Sequence, residues 1–215
     1  MLDLTTNNFS GQIPASLGNL PELTSLNLAE NPFIPSRIPQ ELKTLKKLDT
    51  FYVASCNLIG EIPLFVFQFT ELGILDLSSN SLNGSIPREI SNLKKLYKLE
   101  LYENHLSGSI PPELGDLTLL QDLDMSNNSL SGSIPQELGK LKNISYLQLH
   151  INNLSGQIPE SIGEWPLLEG LALYENNLTG QLPQKLGSLS KFNMLELLVN
   201  RLTGTLPKGI CRGNL

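Results

Sequence analysis

The sequence predicts an α/β repeat solenoid, a stack of short parallel strands backed by short outer helical segments, and three observations carry that prediction. A proline recurs at Pro14, Pro39, Pro63, Pro87, Pro111, Pro135, Pro159, Pro183 and Pro207, with gaps of 24 residues except for a first gap of 25. A fixed period in the range of about 20–50 residues marks an array whose units bury their apolar faces only against their neighbours. In the same frame runs an alternating L-x-L pair, as in Leu75/Leu77, Leu99/Leu101 and Leu171/Leu173. Third, an asparagine follows that pair at Asn7, Asn31, Asn80, Asn104, Asn128, Asn152, Asn176 and Asn200. The whole chain, residues 1–215, is expected to form one domain of about nine repeats without caps.

Each element has a local reason. Alternation with a period of two is the pattern of a half-buried strand. A buried asparagine amide both donates and accepts, so stacked asparagines can satisfy the backbone at every turn in a ladder. The glycine row Gly11, Gly60, Gly84, Gly108, Gly132, Gly156, Gly180 and Gly204 is expected to supply a turn at positive φ. Proline, lacking an amide hydrogen, suits an edge or irregular strand. In Pro135–Leu141 the leucines fall three apart (Leu138, Leu141), which fits one or two helical turns on the outer side, 3-10 in type, before Ile144 leads into the next strand.

Composition narrows the function. The chain has 215 residues, 40% hydrophobic, with a net charge of −6, which disfavours nucleic acid. No run of about 20 apolar residues exists to insert into a membrane. The chain enters a strand directly at Met1-Leu2-Asp3-Leu4 and neither end shows a polar cap, so an internal piece of a longer array is expected. Cys56 takes the ladder position of the third repeat and Cys211 lies in the ninth. Six strand spacings of about 4.8 Å separate them by roughly 30 Å, so both should be free thiols. The two histidines, His105 and His150, have no cysteine or histidine at metal-ligand spacing, and no cofactor or metal site is expected. The serines follow the turn frame instead of a nucleophile–base arrangement, so no catalytic residue is assigned. Six Asn-x-Ser/Thr sequons are candidates for glycosylation: Asn8, Asn83, Asn127, Asn143, Asn153 and Asn177.

Residues that escape the period are free to serve binding. The concave positions are the residue before the first strand leucine, the one between the leucines, and the two before the ladder asparagine. They hold nine of the 21 acidic residues (Asp3, Glu30, Asp76, Glu100, Glu103, Asp122, Asp124, Glu175 and Glu196) but one of 15 basic ones, Lys98. Four of the five tyrosines are there too: Tyr52, Tyr102, Tyr146 and Tyr174. The lysines sit on outer segments, as in Lys43, Lys46, Lys47, Lys94 and Lys95. Tyrosine gives large contact area at low entropic cost, and flanking carboxylates favour a cationic ligand. The expected ligand-binding set is Tyr52, Asp76, Glu100, Tyr102, Asp122, Asp124, Tyr146, Gln148, His150, Tyr174 and Glu175. The plain alternative is a solvated acidic surface whose tyrosines merely favour strands.

The phrase L-x-x-L-x-L-x-x-N-x-L-S-G-x-I-P resembles the plant-specific leucine-rich repeat along essentially the whole chain. That resemblance implies an extracellular recognition scaffold, a right-handed superhelix with a concave parallel sheet. Two irregular repeats go further. Asn31-Pro32-Phe33-Ile34-Pro35-Ser36-Arg37-Ile38-Pro39 has one extra residue and no glycine, and Cys56-Asn57-Leu58-Ile59-Gly60 puts cysteine in the ladder. Together with Leu206-Pro207-Lys208-Gly209-Ile210-Cys211 they are similar to ectodomain repeats of HAESA-like and CLAVATA-class plant receptor kinases. The resemblance implies a small secreted peptide as ligand, a co-receptor kinase of the SERK type, and a place outside the plasma membrane in a receptor with a Ser/Thr kinase. The paired concave arginines of that family, which hold a peptide carboxylate, have no counterpart here. A secreted inhibitor of cell-wall-degrading enzymes, similar to polygalacturonase-inhibiting proteins, and a truncated array without ligand are the alternatives.

Overall fold

The computed structural model describes residues 1–189 and 192–210; Cys211, and with it the expectation of a free thiol there, lies outside the described residues. Two parallel sheets run the length of the array. The first has nine strands in chain order: β1 (Leu2–Asp3), β2 (Ser25–Asn27), β3 (Thr50–Tyr52), β5 (Ile74–Asp76), β7 (Lys98–Glu100), β9 (Asp122–Asp124), β11 (Tyr146–Gln148), β13 (Gly170–Ala172) and β15 (Met194–Glu196). The leucine at the centre of each strand points into the core, as Leu75, Leu99, Leu123, Leu147 and Leu171 do at 1% exposure or less. Its neighbours face outward and stack on the equivalent residue one repeat away.

The ladder forms as the sequence demands. The Asn104 amide donates to the carbonyls of Leu101, Tyr102 and, one repeat back, Leu77 (3.1–3.2 Å), while its Oδ1 accepts the Leu82 amide at 2.9 Å. Asn128, Asn152 and Asn176 repeat the arrangement. Each asparagine thus joins its own turn to the preceding repeat. Just before it, the chain turns through the left-handed region, at Glu30, Ser79, Glu103, Asn127, Ile151, Glu175 and Val199 among others. Left-handed backbone costs an L-residue roughly 1–2 kcal/mol, least for asparagine and most for β-branched side chains. Ile151, at φ 52° and exposed, carries that strain without burying its side chain in return. Ile151→Asn is therefore expected to stabilise the chain by about 1 kcal/mol, measured by urea unfolding.

The glycine row corrects the sequence expectation. Gly60, Gly84, Gly108, Gly132, Gly156, Gly180 and Gly204 take φ between 76 and 83°, as a turn would require. All but Gly204, which directly follows β16, nevertheless sit inside strands of a second, seven-stranded parallel sheet: β4 (Ile59–Glu61), β6 (Ser81–Ser85), β8 (His105–Ser109), β10 (Ser129–Ser133), β12 (Asn153–Gln157), β14 (Asn177–Gln181) and β16 (Arg201–Thr203). Leu130 and Ile134 point inward from either side of Gly132, and the exposed face carries serine, threonine, asparagine and glutamine. In the second repeat the extra residue reduces this strand to a single bridge, Ser36 to Leu58.

The prolines also differ in role from an edge strand. The seven from Pro14 to Pro159 each hold extended backbone (φ −57 to −70°) immediately before a five-residue 3-10 helix, such as Gln136–Lys140 after Pro135. The outer turns stack tightly because glycine recurs in them: a methyl group on Gly115 would run into the carbonyl oxygen of Glu137, and one on Gly18 into that of Glu41. The outer lysines bridge neighbouring repeats, Lys95 to Glu71 at 2.6 Å and Lys140 to Asp116 at 3.0 Å, exposed pairs that contribute little stability each.

Cys56 is fully buried and unpaired, and burial pushes its thiol up to about 12. The thiol donates to the carbonyls of Leu28 and Ala54, the donor half of the asparagine's work. The acceptor half is not needed there, because Phe33 and Ile34 already donate their amides to Asn31 O and Gly11 O, and Asn57 bonds Phe33 O at 2.8 Å. The extra residue and the ladder cysteine are thus one structural event.

Candidate functional site

The middle outward positions of the first sheet stand in register, strand to strand: Asp3, Asn27, Tyr52, Asp76, Glu100, Asp124, Gln148, Ala172, Glu196. The row beside it reads Thr50, Ile74, Lys98, Asp122, Tyr146, Gly170, Met194 in the same register. Beyond the strands, Tyr102, His150 and Tyr174 make a third row at 24-residue intervals or multiples of it, followed by the left-handed Glu103, Ile151 and Glu175. All eleven expected binding residues therefore lie along one face, from β3 to β13. Five strand spacings make that face about 24 Å long, the reach of roughly seven extended residues.

Three carboxylates, Asp76, Glu100 and Asp124, occupy consecutive strands of one row. Desolvation by burial raises the pKa of each, like charges in the row add to it at Glu100 and Asp124, and hydrogen bonds oppose the shift. One oxygen of Asp76 accepts the Ser78 amide at 3.0 Å and hydroxyl at 2.6 Å; Asp124 uses Ser126 in the same way at 2.9 and 2.6 Å. Lys98 reaches Glu100 at 3.0 Å. Asp124 departs from the expectation of a solvated acidic patch: it is 8% exposed, and its Oδ1 is committed to Ser126. Because its pKa is raised, the folded chain holds this proton more readily than the unfolded chain, so its carboxylate weakens the fold as pH rises. Asp124→Asn, which keeps an oxygen for Ser126, is expected to add about 1 kcal/mol at pH 7.5. The gain should vanish near pH 4, in thermal unfolding followed across pH.

The aromatic residues take two arrangements that sequence position alone does not disclose. His150 falls two residues past β11 instead of within a strand, and its ring stacks on that of Tyr174 at 4.3 Å and 17°. Burial pushes the His150 pKa down against the opposing pull of Asp124, Glu196 and Glu175, and its Nδ1 is buried without a protein partner. Tyr146 leans sideways over Gly170, where any Cβ would collide with its ring, and its hydroxyl meets Glu169 Oε2 at 3.0 Å and Asn193 Nδ2 at 3.3 Å. Glu169, Asn193, Gly170 and Ala172 were outside the expected set. The signal that marks them is the pair of small residues in β13 at positions where the neighbouring strands carry larger side chains, Tyr146 and Met194 beside Gly170 and Gln148 and Glu196 beside Ala172. Tyr52 stands at the far end beside Asp76, its pKa raised first by burial and then by Asp76. Asp122, raised by burial with Lys98 opposing, abuts Tyr146 in register.

The sequons divide between faces. Asn83, Asn153 and Asn177 are exposed on the second sheet, Asn8 is exposed near the start, and Asn127 is exposed at the left-handed position beside the first sheet. Asn143 is half-buried with its amide bonded to Thr118 O at 2.7 Å. Among the described residues, no cluster of His, Cys, Asp and Glu is arranged to hold a metal ion, and no helix is long and apolar enough to cross a membrane.

A family model described as a leucine-rich repeat region matches residues 1–156. A crystal structure of the Arabidopsis receptor kinase HAESA, in complex with the peptide hormone IDA and the co-receptor SERK1, is similar at 44% identity and a TM-score of 0.95. The match covers 97% of this chain and 35% of that one. The plant peptide hormone receptor RGFR1, in complex with RGF2, is similar at 38% identity and a TM-score of 0.92, over 97% of this chain and 34% of that one. Receptor-like protein 35 of Arabidopsis thaliana is 39% identical over 89 residues, 39% of this chain and 9% of that protein. The chain thus spans about a third of the receptor structures and about a tenth of the curated relative. With the repeat geometry and the match across residues 1–156, the chain belongs to the leucine-rich repeat family, in the form carried by plant receptor ectodomains.

Proposed function

We propose that this chain is part of the extracellular ectodomain of a plant leucine-rich-repeat receptor kinase, and that it binds a small secreted peptide along the face of the nine-stranded sheet. The observation that carries the assignment is the in-register row Tyr52–Asp76–Glu100–Asp124–Gln148, beside which Lys98 is already paired with Glu100. A fixed row of carboxylates on a rigid sheet attracts a basic peptide and speeds its encounter, and the tyrosines add contact area at low entropic cost. HAESA with IDA and SERK1, and RGFR1 with RGF2, support a peptide ligand and, for the former, a co-receptor of the SERK type. On this reading the face serves recognition, and its output is signalling through the rest of the receptor. The exposed sequons fit passage through the secretory pathway.

Titration calorimetry of the chain against a panel of basic, neutral and acidic secreted-peptide sequences tests this. Basic peptides should bind, Asp124→Lys should abolish binding, and Tyr146→Ala should weaken it about tenfold, the size of a well-packed aromatic contact. Binding that ignores both substitutions would remove the assignment of this face.

A further inference from the structure

Along the edge where the strands of the first sheet begin, one row of turn residues recurs at intervals of 24 or 25: Glu22, Lys47, Glu71, Lys95, Leu119, Asn143 and Leu167. Its first four members pair across neighbouring repeats, Lys47 with Glu22 at 2.5 Å and Lys95 with Glu71 at 2.6 Å. The row then changes character. Leu119 and Leu167 stand 49% and 52% exposed on either side of Asn143, which opens the sequon Asn143-Ile144-Ser145. Single exposed leucines are ordinary on a protein surface. Here two of them flank a sequon, in a row whose earlier members are all ion-paired charges. The Asn143 side chain is half-buried and fixed, its Nδ2 donating to Thr118 O at 2.7 Å in the turn that carries Leu119, whereas the other five sequon asparagines are exposed.

We propose that Asn143 carries an N-linked glycan whose first sugars lie over Leu119 and Leu167 and cover this edge of the array. The glycan rests on the extracellular assignment above for passage through the secretory pathway. Its donor is a lipid-pyrophosphate oligosaccharide. The donor's anomeric carbon bonds to Asn143 Nδ2, its bond to the pyrophosphate oxygen breaks, and the lipid pyrophosphate and one amide proton leave. The second amide hydrogen remains for Thr118 O, so the modification keeps the bond that fixes the side chain. A pyranose ring presents a face made of C–H groups, and laying it on leucine removes apolar surface of both from water. The second sheet offers no such support: Asn153 stands in register with Ser131 and Asn177 with Ser155, so glycans there project into solvent.

The chain is expressed behind a cleavable leader in the secretory pathway of plant cells, and each sequon is read by glycopeptide mass spectrometry. Asn143 should be occupied. A peptide-N-glycosidase acting on the folded chain should release the Asn143 glycan about tenfold more slowly than those of the second-sheet sequons, the factor expected from covering two half-exposed leucines. Leu119→Ser combined with Leu167→Ser, both surface changes, should remove most of that difference. The same pair of substitutions should leave retention on a hydrophobic column unchanged in the glycosylated parent, where the leucines are covered. In Ser145→Ala, which loses the glycan but keeps Asn143, the pair should shorten retention. Equal release rates, a ratio unmoved by the serines, or shortening of equal size in both backgrounds would overturn the cover. Asn143 bare beside an occupied Asn153 or Asn177 overturns it too and leaves the extracellular assignment intact; a chain bare at every sequon overturns both the cover and the sequon support for that assignment. A protected glycan at Asn143 on a chain that binds no panel peptide leaves the cover standing without the peptide ligand.

Discussion

Asn152→Ala is expected to destabilise the array by about 3 kcal/mol, the sum expected when several buried hydrogen bonds go and their partners stay. The side chain is 8% exposed and makes four bonds: its amide donates to Met125 O at 3.0 Å, Leu149 O at 3.2 Å and His150 O at 3.3 Å, and its Oδ1 accepts the Leu130 amide at 2.9 Å. Alanine leaves the Leu130 amide buried with no acceptor and strips a donor from three carbonyls. The larger cost is that stranded donor, not the bonds themselves. Solenoids hold together through nearest-neighbour interfaces, so the damage should be local. Amide hydrogen exchange should show Met125 to Leu130 and Leu149 to Leu154 losing protection first, alongside a lower urea midpoint. An unfolding free energy within about 0.5 kcal/mol of the parent would mean that the ladder is a by-product of the turn and not its support.

The second large effect is expected on the outer side, where Gly115→Ala should cost about 2 kcal/mol by overpacking. Its Cβ would occupy the space of the Glu137 carbonyl, a backbone atom that cannot rotate away. Relief requires the 3-10 turn Pro112–Asp116 to move off its neighbour Gln136–Lys140, opening the core where Leu114 and Leu138 are buried. The control is Gly132→Ala, whose Cβ meets only the Ser109 methylene at 3.6 Å but whose φ of 77° penalises any side chain. The two glycines are thus needed for different reasons, room at one and backbone conformation at the other. Gly115→Ser should be worse than alanine by unfolding midpoint, whereas Gly132→Asn should recover much of the loss in Gly132→Ala, because asparagine tolerates left-handed backbone.

Most of the first sheet was legible because its signals are local. Leucine alternation marks the strands, and a polar amide at a fixed place after them must be bonded because it is buried. The second sheet was not legible. Its strands, such as Ser129–Ser133, are poor in β-branched and aromatic residues, and a glycine at positive φ interrupts the period of two, so they read as turns. Their pairing comes from the stacking of repeats, a property of the array and not of the segment. The candidate site shows the same division. The eleven expected residues share one face because the period places them there. The lean of Tyr146 over Gly170, the stack of His150 on Tyr174 and the burial of Asp124 depend on residues one repeat away, which single-repeat patterning does not weigh.

The pairing of Cys56 with the extra residue in the second repeat has a consequence for redesign of the array. Position-by-position replacement toward the average repeat would put asparagine at 56. Its amide would find the Leu28 and Ala54 carbonyls that the thiol now uses, but its oxygen would face amides already committed to Asn31 O and Gly11 O. The substitution would therefore bury an acceptor without a donor. Shortening the Pro32–Pro35 segment alone would do the reverse and free an amide with nothing to receive it. Each change is expected to be harmful by itself and milder with the other, so the two positions are coupled in this chain, and an average taken column by column erases what makes either residue tolerable.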